Sequence, residues 1–470
     1  MEEKTNYREE LFYKQKNGYD LVSKEEVIEA EKYSEGYKEF LNDSRTEREA
    51  VINSIAIAEQ NGFVKYSGPD CIKKGAKLYF NNRGKALTLA VIGEKPMSAG
   101  CVIVAAHVDS PKIDLKQVPL YEDSELAFFK THYYGGIKKY QWTAIPLELH
   151  GVVALKNGEV IDVVIGREKG DPHFVITDLL PHLAADQMKK TMAEGITGEG
   201  LNVLIGSTPY DDEGEDRVKL AIMSVLAGNY GITEEDFVSA ELSVVPAFEV
   251  TDIGFDRSLI GGYGQDDRVC AYAGLKALVD TKNPQRTCLC ILADKEETGS
   301  QGVSGMQSMA FEWVISELCK AENSEVIDCL SRSVCISADV TAAFDPNYPE
   351  VTEKRNGAKL NYGIGLSKFS GARGKSGTSD SSAEFVAYIR NVYAKNNVIW
   401  QMCELGKVDQ GGGGTVAAYM ANRNIETLDA GVPVLSMHAP FEVVAKLDCY
   451  MTYKGILSVF EAEPYENKYF

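Results

Sequence analysis

Short apolar runs that each end in a histidine or a carboxylate constrain this chain most. CVIVAAHVD ends at His107 and Asp109, CLCILADKEE at Glu296 and Glu297, VCISAD at Asp339, and PVLSMH at His438. Such runs, with no polar alternation, read as strands buried on both faces, as in a parallel sheet covered by helices. Helical patterns lie among them: DDRVCAYAGLKALVD, SMAFEWVISELCKAE and SSAEFVAYIRNVYAKN. Strands alternating with helices predict an α/β fold, here a mixed, largely parallel sheet with helices on both faces. In open α/β sheets the ligand crevice lies at the carboxyl ends of the strands. Four runs would therefore send ionisable side chains to one edge, where burial is costly unless they are paired or bind metal.

The rest of the chain divides around that pattern. Residues 24–41 and 44–60 carry apolar positions at three- and four-residue steps and are expected to be amphipathic helices packed on the core. AKLYFNNRGKALTLAVIG reads as a hairpin, and the run 101–106 as a buried strand. From about residue 114 the texture changes to short β-like runs, ELHGVVAL, GEVIDVVIG, HFVIT and LSVVPAFEV. The expected organisation is a first catalytic segment over 1–115, an inserted β-rich domain over 116–249, and a second catalytic segment over 250–470.

Composition narrows the partners. With 49 Lys+Arg against 69 Asp+Glu the net charge is −20, a field that repels phosphate backbones and anionic membrane surfaces. Neither nucleic acid nor membrane is an expected partner. No apolar run approaches the ~20 residues of a membrane span, and the acidic opening MEEKTNYREE does not read as a secretory leader. Ten cysteines occur without a CxxC pair, several inside strand-like runs, so a reducing, cytoplasmic setting is expected.

Each short motif has an ordinary reading. Asp266 and Asp267 could cap the helix they open, an HxD or a Glu pair is common, and His438 could be a core histidine. YDDEGED at 210–216 reads as a solvated loop without calcium-loop spacing. GGYGQDD lacks the dinucleotide fingerprint, and QGGGGT at 410–415 lacks the Lys-Ser/Thr of a phosphate loop. Neither GxSxG on a strand nor HExxH on a helix is present. The conjunction carries the argument, because two of only six histidines fall at strand ends beside carboxylates.

The ordered set HVD, GQDDRV, DKEETGS, SAD and SMHAPFE resembles the aspartyl aminopeptidase/vacuolar aminopeptidase family of di-zinc metallo-aminopeptidases. AAHVDSPKIDLK, YGG at 134–136, LPHLA at 180–184 and the GGGT turn extend the resemblance over most of the chain. It implies a di-zinc exopeptidase-like fold that removes the N-terminal residue of peptides through a metal-bridging water activated by a glutamate. His107 and Asp339 would hold one zinc, Glu297 and His438 the other, and Asp266 would bridge both. Glu296 would be the general acid/base, and Asp109 would orient His107. Three protein ligands per metal leave the open position typical of catalytic zinc. Cobalt or manganese are possible substitutes.

The resemblance also implies that the insertion builds a homo-oligomer, a dodecamer assembled from dimers, in which His182 reaches a neighbour's active site. Substrate binding is expected at His182 and Lys359. The tract AKLNYGIGLSKFSGARGKSGTSD departs from the family pattern beyond Lys359 and Asn361, which favours a neutral or broad first-residue preference over an acidic one. Alternatives are a co-catalytic-metal deacylase or carboxypeptidase and, outside enzymes, an oligomeric scaffold.

Overall fold

The computed structural model describes residues 7–466. The acidic opening begins in residues 1–6, which lie outside the described residues.

A nine-stranded mixed sheet organises the molecule. Its spatial order is Val64–Lys65, Lys77–Asn82, Ala86–Val91, Cys288–Ala293, Val102–His107, Val334–Ser337, Glu426–Gly431, Ile364–Ser367 and Trp400–Met402. The four strands from Cys288–Ala293 to Glu426–Gly431 are parallel, so they end on one edge. Alternate residues of Val102–His107 explain its unbroken apolarity. Val102, Val104 and Ala106 join one core with the helices Lys24–Asp43, Glu47–Gln60, Gln265–Asp280, Ala383–Lys395 and Lys446–Phe460. Ile103 and Ala105 join a second core with Ala310–Ala321, Val326–Ser331 and Ala417–Ala421. Both faces are therefore covered, as the runs predict.

Local chemistry sets the helix starts. Ser23 and Glu26 form a capping box that opens Lys24–Asp43. The second helix begins at Glu47 rather than Ser44, because Thr46 and Glu49 make the capping box. The Asp266–Asp267 pair is not a side-chain cap: Gly264 is the N-cap, and both aspartates have non-helical backbone angles inside Gln265–Asp280.

Two smaller sheets complete the fold. Val160–Ile165, Leu147–Ala154, Ala240–Pro246, Lys112–Asp123, Leu126–Tyr134 and Val203–Gly206 form an antiparallel sheet with its own core around Ile113, Phe129 and Trp142. Its long strand starts at Lys112 and runs through position 116, so the sheet begins before the change in sequence texture. HFVIT makes only isolated bridges at Phe174 and Val175.

The third sheet has the order Thr251–Ile253, Leu259–Gly262, Glu442–Ala445, Pro433–Leu435 and Thr341–Ala342. The run PVLSMH therefore belongs here, not to the parallel sheet. Glu426–Gly431 takes the main-sheet place, and the chain crosses at Val432 into a hairpin with Glu442–Ala445. Among the described residues no helix is long and apolar enough to cross a membrane.

Candidate metal centre

The parallel strands deliver His107 at a strand end, and Glu296, Glu297 and Asp339 just past two others. The five-stranded sheet supplies the rest. Its register pairs Gly262 with Glu442, so the turn after Gly262 carries Asp266 beside the hairpin that carries His438. Asp266 Oδ1 lies 3.2 Å from His107 Nε2, and its Oδ2 lies 3.1 Å from His438 Nε2. His107 Nε2 is also 3.9 Å from Glu296 Oε2 and 3.8 Å from Asp339 Oδ1, while His438 Nε2 is 3.5 Å from Glu297 Oε1. Seven positions named from the sequence thus meet at one place, counting Asp109.

Asp109 is saturated. Its Oδ1 lies 3.2 Å from His107 Nδ1 and accepts the Glu296 amide at 3.1 Å. Its Oδ2 accepts the Tyr134 hydroxyl at 2.7 Å and the Glu297 amide at 3.2 Å. Gly431 permits close approach from the next strand: a Cβ there would lie 1.8 Å from the Asp339 carbonyl oxygen.

Charge is strongly perturbed here. Burial pushes the carboxyls of Glu296, Glu297, Asp339 and Asp267 up. Asp266 is buried too, but the His107 and His438 hydrogen bonds hold it well below the usual carboxylate range. Burial opposes charge on His438, yet Asp266 and Glu297 push it up to about 10. Asp267 Oδ1 and Glu297 Oε1 are buried without hydrogen-bond partners. Clustered carboxylates with orphaned oxygens, facing two imidazoles, fit divalent cations. Ligand atoms of His107, Asp267 and Asp339 lie within 4.8 Å of one another, as do those of His107, Asp266 and Glu297.

The cluster opens into a cavity of about 450 Å³. Its wall includes Val340, Ser367, Ser370, Leu405, Met437 and the glycine turn 412–414. Thr415 donates to Asp429 at 2.8 Å, which ties that turn to the sheet. Two expected binding residues lie elsewhere. His182 is exposed on a loop with Leu179, Leu180 and Leu183. Lys359 is not among the lining residues, and its ammonium sits 5.2 Å from the Tyr362 ring centroid.

Sequence reasoning missed three participants. Glu442 is buried and accepts the His438 amide at 2.8 Å and the Asp266 amide at 3.2 Å. Asp267 accepts the His107 amide at 3.3 Å, a role hidden by its plausibility as a cap. Tyr134 lay inside a quoted tract, but nothing local pairs it with Asp109.

A histidine–carboxylate cluster at the carboxyl edge of a mixed α/β sheet, open to a cavity, defines a metal-dependent hydrolase. Over residues 40–460 the chain matches the family model for aminopeptidase I zinc metalloprotease (M18). A probable M18 family aminopeptidase 1 of Clostridium acetobutylicum is 46% identical over 455 residues, covering 95% of this chain and 98% of that one. The crystal structure of the M18 aminopeptidase of Thermotoga maritima superposes with a TM-score of 0.91 at 42% identity, covering 96% of this chain and all of that one. The yeast mApe1 dodecamer shares the fold at 20% identity, with a TM-score of 0.75 over 92% of this chain and 97% of that one. The chain belongs to the M18 family of zinc metallo-aminopeptidases, and is a metal-dependent aminopeptidase. The deacylase, carboxypeptidase and scaffold alternatives are set aside on that ground.

Proposed function

We propose that this aminopeptidase holds two zinc ions, one between His107, Asp266 and Asp339 and the other between His438, Asp266 and Glu297. The observation that carries the reading is the Asp266 carboxylate, whose two oxygens face two imidazole nitrogens at 3.2 and 3.1 Å. When bound, zinc supplies Lewis acidity toward a carbonyl and lowers the pKa of water.

The protein groups divide the remaining work. Both glutamates line the cavity, but the Glu297 side chain is 4% exposed and that of Glu296 18%, which suits a ligand and a mobile-proton group respectively. Glu296 takes the proton of the attacking water and returns it to the leaving amine. His107 Nδ1 lies 2.9 Å from the Asp109 backbone carbonyl and 3.2 Å from its carboxylate Oδ1, so Nδ1 carries the proton and Nε2 is the nitrogen left to ligate. The free amino end of the peptide enters beside the carboxylates, and the first side chain rests on Val340, Leu405, Met437 and the glycine turn.

The antiparallel sheet is proposed as the assembly unit. The yeast relative is a dodecamer, and the exposed apolar loop bearing His182 suits contact with another copy. We place the enzyme in the cytoplasm, because ten cysteines without a CxxC pair, most of them buried, suit a reducing compartment.

Chelation followed by assay on free and N-acetylated aminoacyl substrates tests the reading. Activity is expected to vanish with chelator, return with zinc, and be absent on acetylated substrates. Full activity after chelation, or equal cleavage of acetylated substrates, would contradict it.

A further inference from the structure

We infer that the turn 134–136, supplied by the antiparallel sheet rather than the catalytic one, is the outer support of both metal subsites. The inference rests on the proposed ligand set.

Three contacts converge. The Tyr134 hydroxyl donates to Asp109 Oδ2 at 2.7 Å, and Asp109 in turn lies 3.2 Å from His107 Nδ1. The Gly136 carbonyl lies 2.9 Å from His438 Nδ1. A carbonyl only accepts, so Nδ1 carries a proton and Nε2, facing Asp266 and Glu297, is the nitrogen left for a metal. Between them, Gly135 has a φ of +74°, and a Cβ there would lie 3.3 Å from Glu297 Cβ and Oε2. One short turn thus reaches both histidines and leaves room for a glutamate between them.

The turn's rigidity comes from its own sheet. Tyr134 closes Leu126–Tyr134, where it pairs with Lys112 at the start of Lys112–Asp123. The Lys112 ammonium lies 5.3 Å from the Tyr134 ring centroid and is anchored by Glu47 at 2.7 Å. Tyr134 and Gly136 are positioning residues: they act through Asp109 and the two histidines. Outer hydrogen bonds of this kind fix a ligand's tautomer and angle, and their loss typically costs about 10–100-fold in metal affinity. The inserted sheet is therefore part of the metal centre as well as a candidate for assembly.

Zinc affinity, read by competition with a chromogenic chelator on the full chain, tests this. Tyr134→Phe keeps the ring and removes only the hydroxyl. It is expected to weaken zinc about 10–100-fold with the zinc-free melting temperature unchanged, and kcat at saturating zinc is expected to fall less than affinity. Gly135→Ala, which crowds Glu297 without touching Asp109, is expected to weaken zinc as well. Tyr121→Phe, in the same sheet but away from the cluster, is expected to bind zinc as wild type. Wild-type affinity in Tyr134→Phe and Gly135→Ala, with His438→Ala impaired, overturns the inference and leaves the ligand set standing. Equal weakening in Tyr121→Phe also overturns it, as a general stability effect. Undiminished zinc binding in His438→Ala overturns the ligand set itself.

Discussion

Asp266 Oδ2 lies 3.1 Å from His438 Nε2, joining the turn that opens a helix of the main sheet to a hairpin of the five-stranded sheet. The contact exists because Glu442 pairs with Gly262 in register and accepts the backbone amides of both Asp266 and His438. Two candidate ligands far apart in sequence are thereby fixed by one buried carboxyl. Burial pushes that carboxyl up to about 8.

Glu296 separates chemistry from metal holding. Glu296→Gln is expected to retain zinc at wild-type stoichiometry while kcat falls by about 10²–10⁴-fold, the usual worth of general acid/base help. Metal analysis beside steady-state kinetics checks this; near-normal kcat with zinc bound would place the proton transfer elsewhere.

A buried imidazole predicts a pH dependence of stability. His150 Nδ1 lies 2.7 Å from Glu49 Oε1 and its Nε2 lies 2.9 Å from Glu148 Oε2, with Arg45 3.9 Å from Glu148. Burial opposes charge on His150, but the two carboxylates raise its pKa, while the same contact lowers that of Glu49. A raised histidine contributes stability that is complete below its unfolded value, about 6.5, and is lost as pH climbs through the folded value. A depressed Glu49 contributes above its unfolded value and is lost as pH falls through the folded one. Melting temperatures of wild type and Glu49→Gln should therefore differ most between about pH 4.5 and 6.5, by the equivalent of about 1–3 kcal/mol, and converge in alkali. A difference that keeps growing as pH rises above about 6.5 would contradict the assignment.

Substrate preference follows from where Lys359 sits. Its ammonium lies over Tyr362 and its backbone is held by Gln401, whose Oε1 accepts the Lys359 amide at 2.8 Å. Lys359→Met is expected to change KM for acidic and for leucyl substrates by similar factors. A selective rise in KM for acidic substrates would show that the ammonium reads the first side chain.

The exposed loop offers a test of assembly. Leu180 and Leu183 are 50% and 69% exposed beside His182. Replacing both by aspartate is expected to shrink the particle seen by light scattering, with the monomer still folded. An unchanged particle would move the interface elsewhere.

The sheet edge was legible because strands buried on both faces must be continuously apolar, so a terminal histidine or glutamate stands out. That logic located His107, Glu296, Glu297 and Asp339. His438 was reached by the same rule for a partly different reason: its strand belongs to a small separate sheet whose register no local pattern encodes. The roles of Glu442, Tyr134 and Gly136 were hidden for a related cause, although SMHAPFE and YGG contain them, since each acts through a tertiary hydrogen bond. Asp267 was masked because acidic residues at a helix start are ordinary. The Thr46 cap moved one helix start, and the long strand from Lys112 passed through the expected boundary, since texture on a strand reports exposure rather than pairing.

Anomalous diffraction at the zinc edge from zinc-loaded crystals tests whether Asp266 is shared by two metals. Two peaks sharing Asp266 are expected, one also contacting His107 and Asp339 and the other His438 and Glu297, both lost in Asp266→Ala. A single peak, or two peaks that survive that substitution, would contradict it.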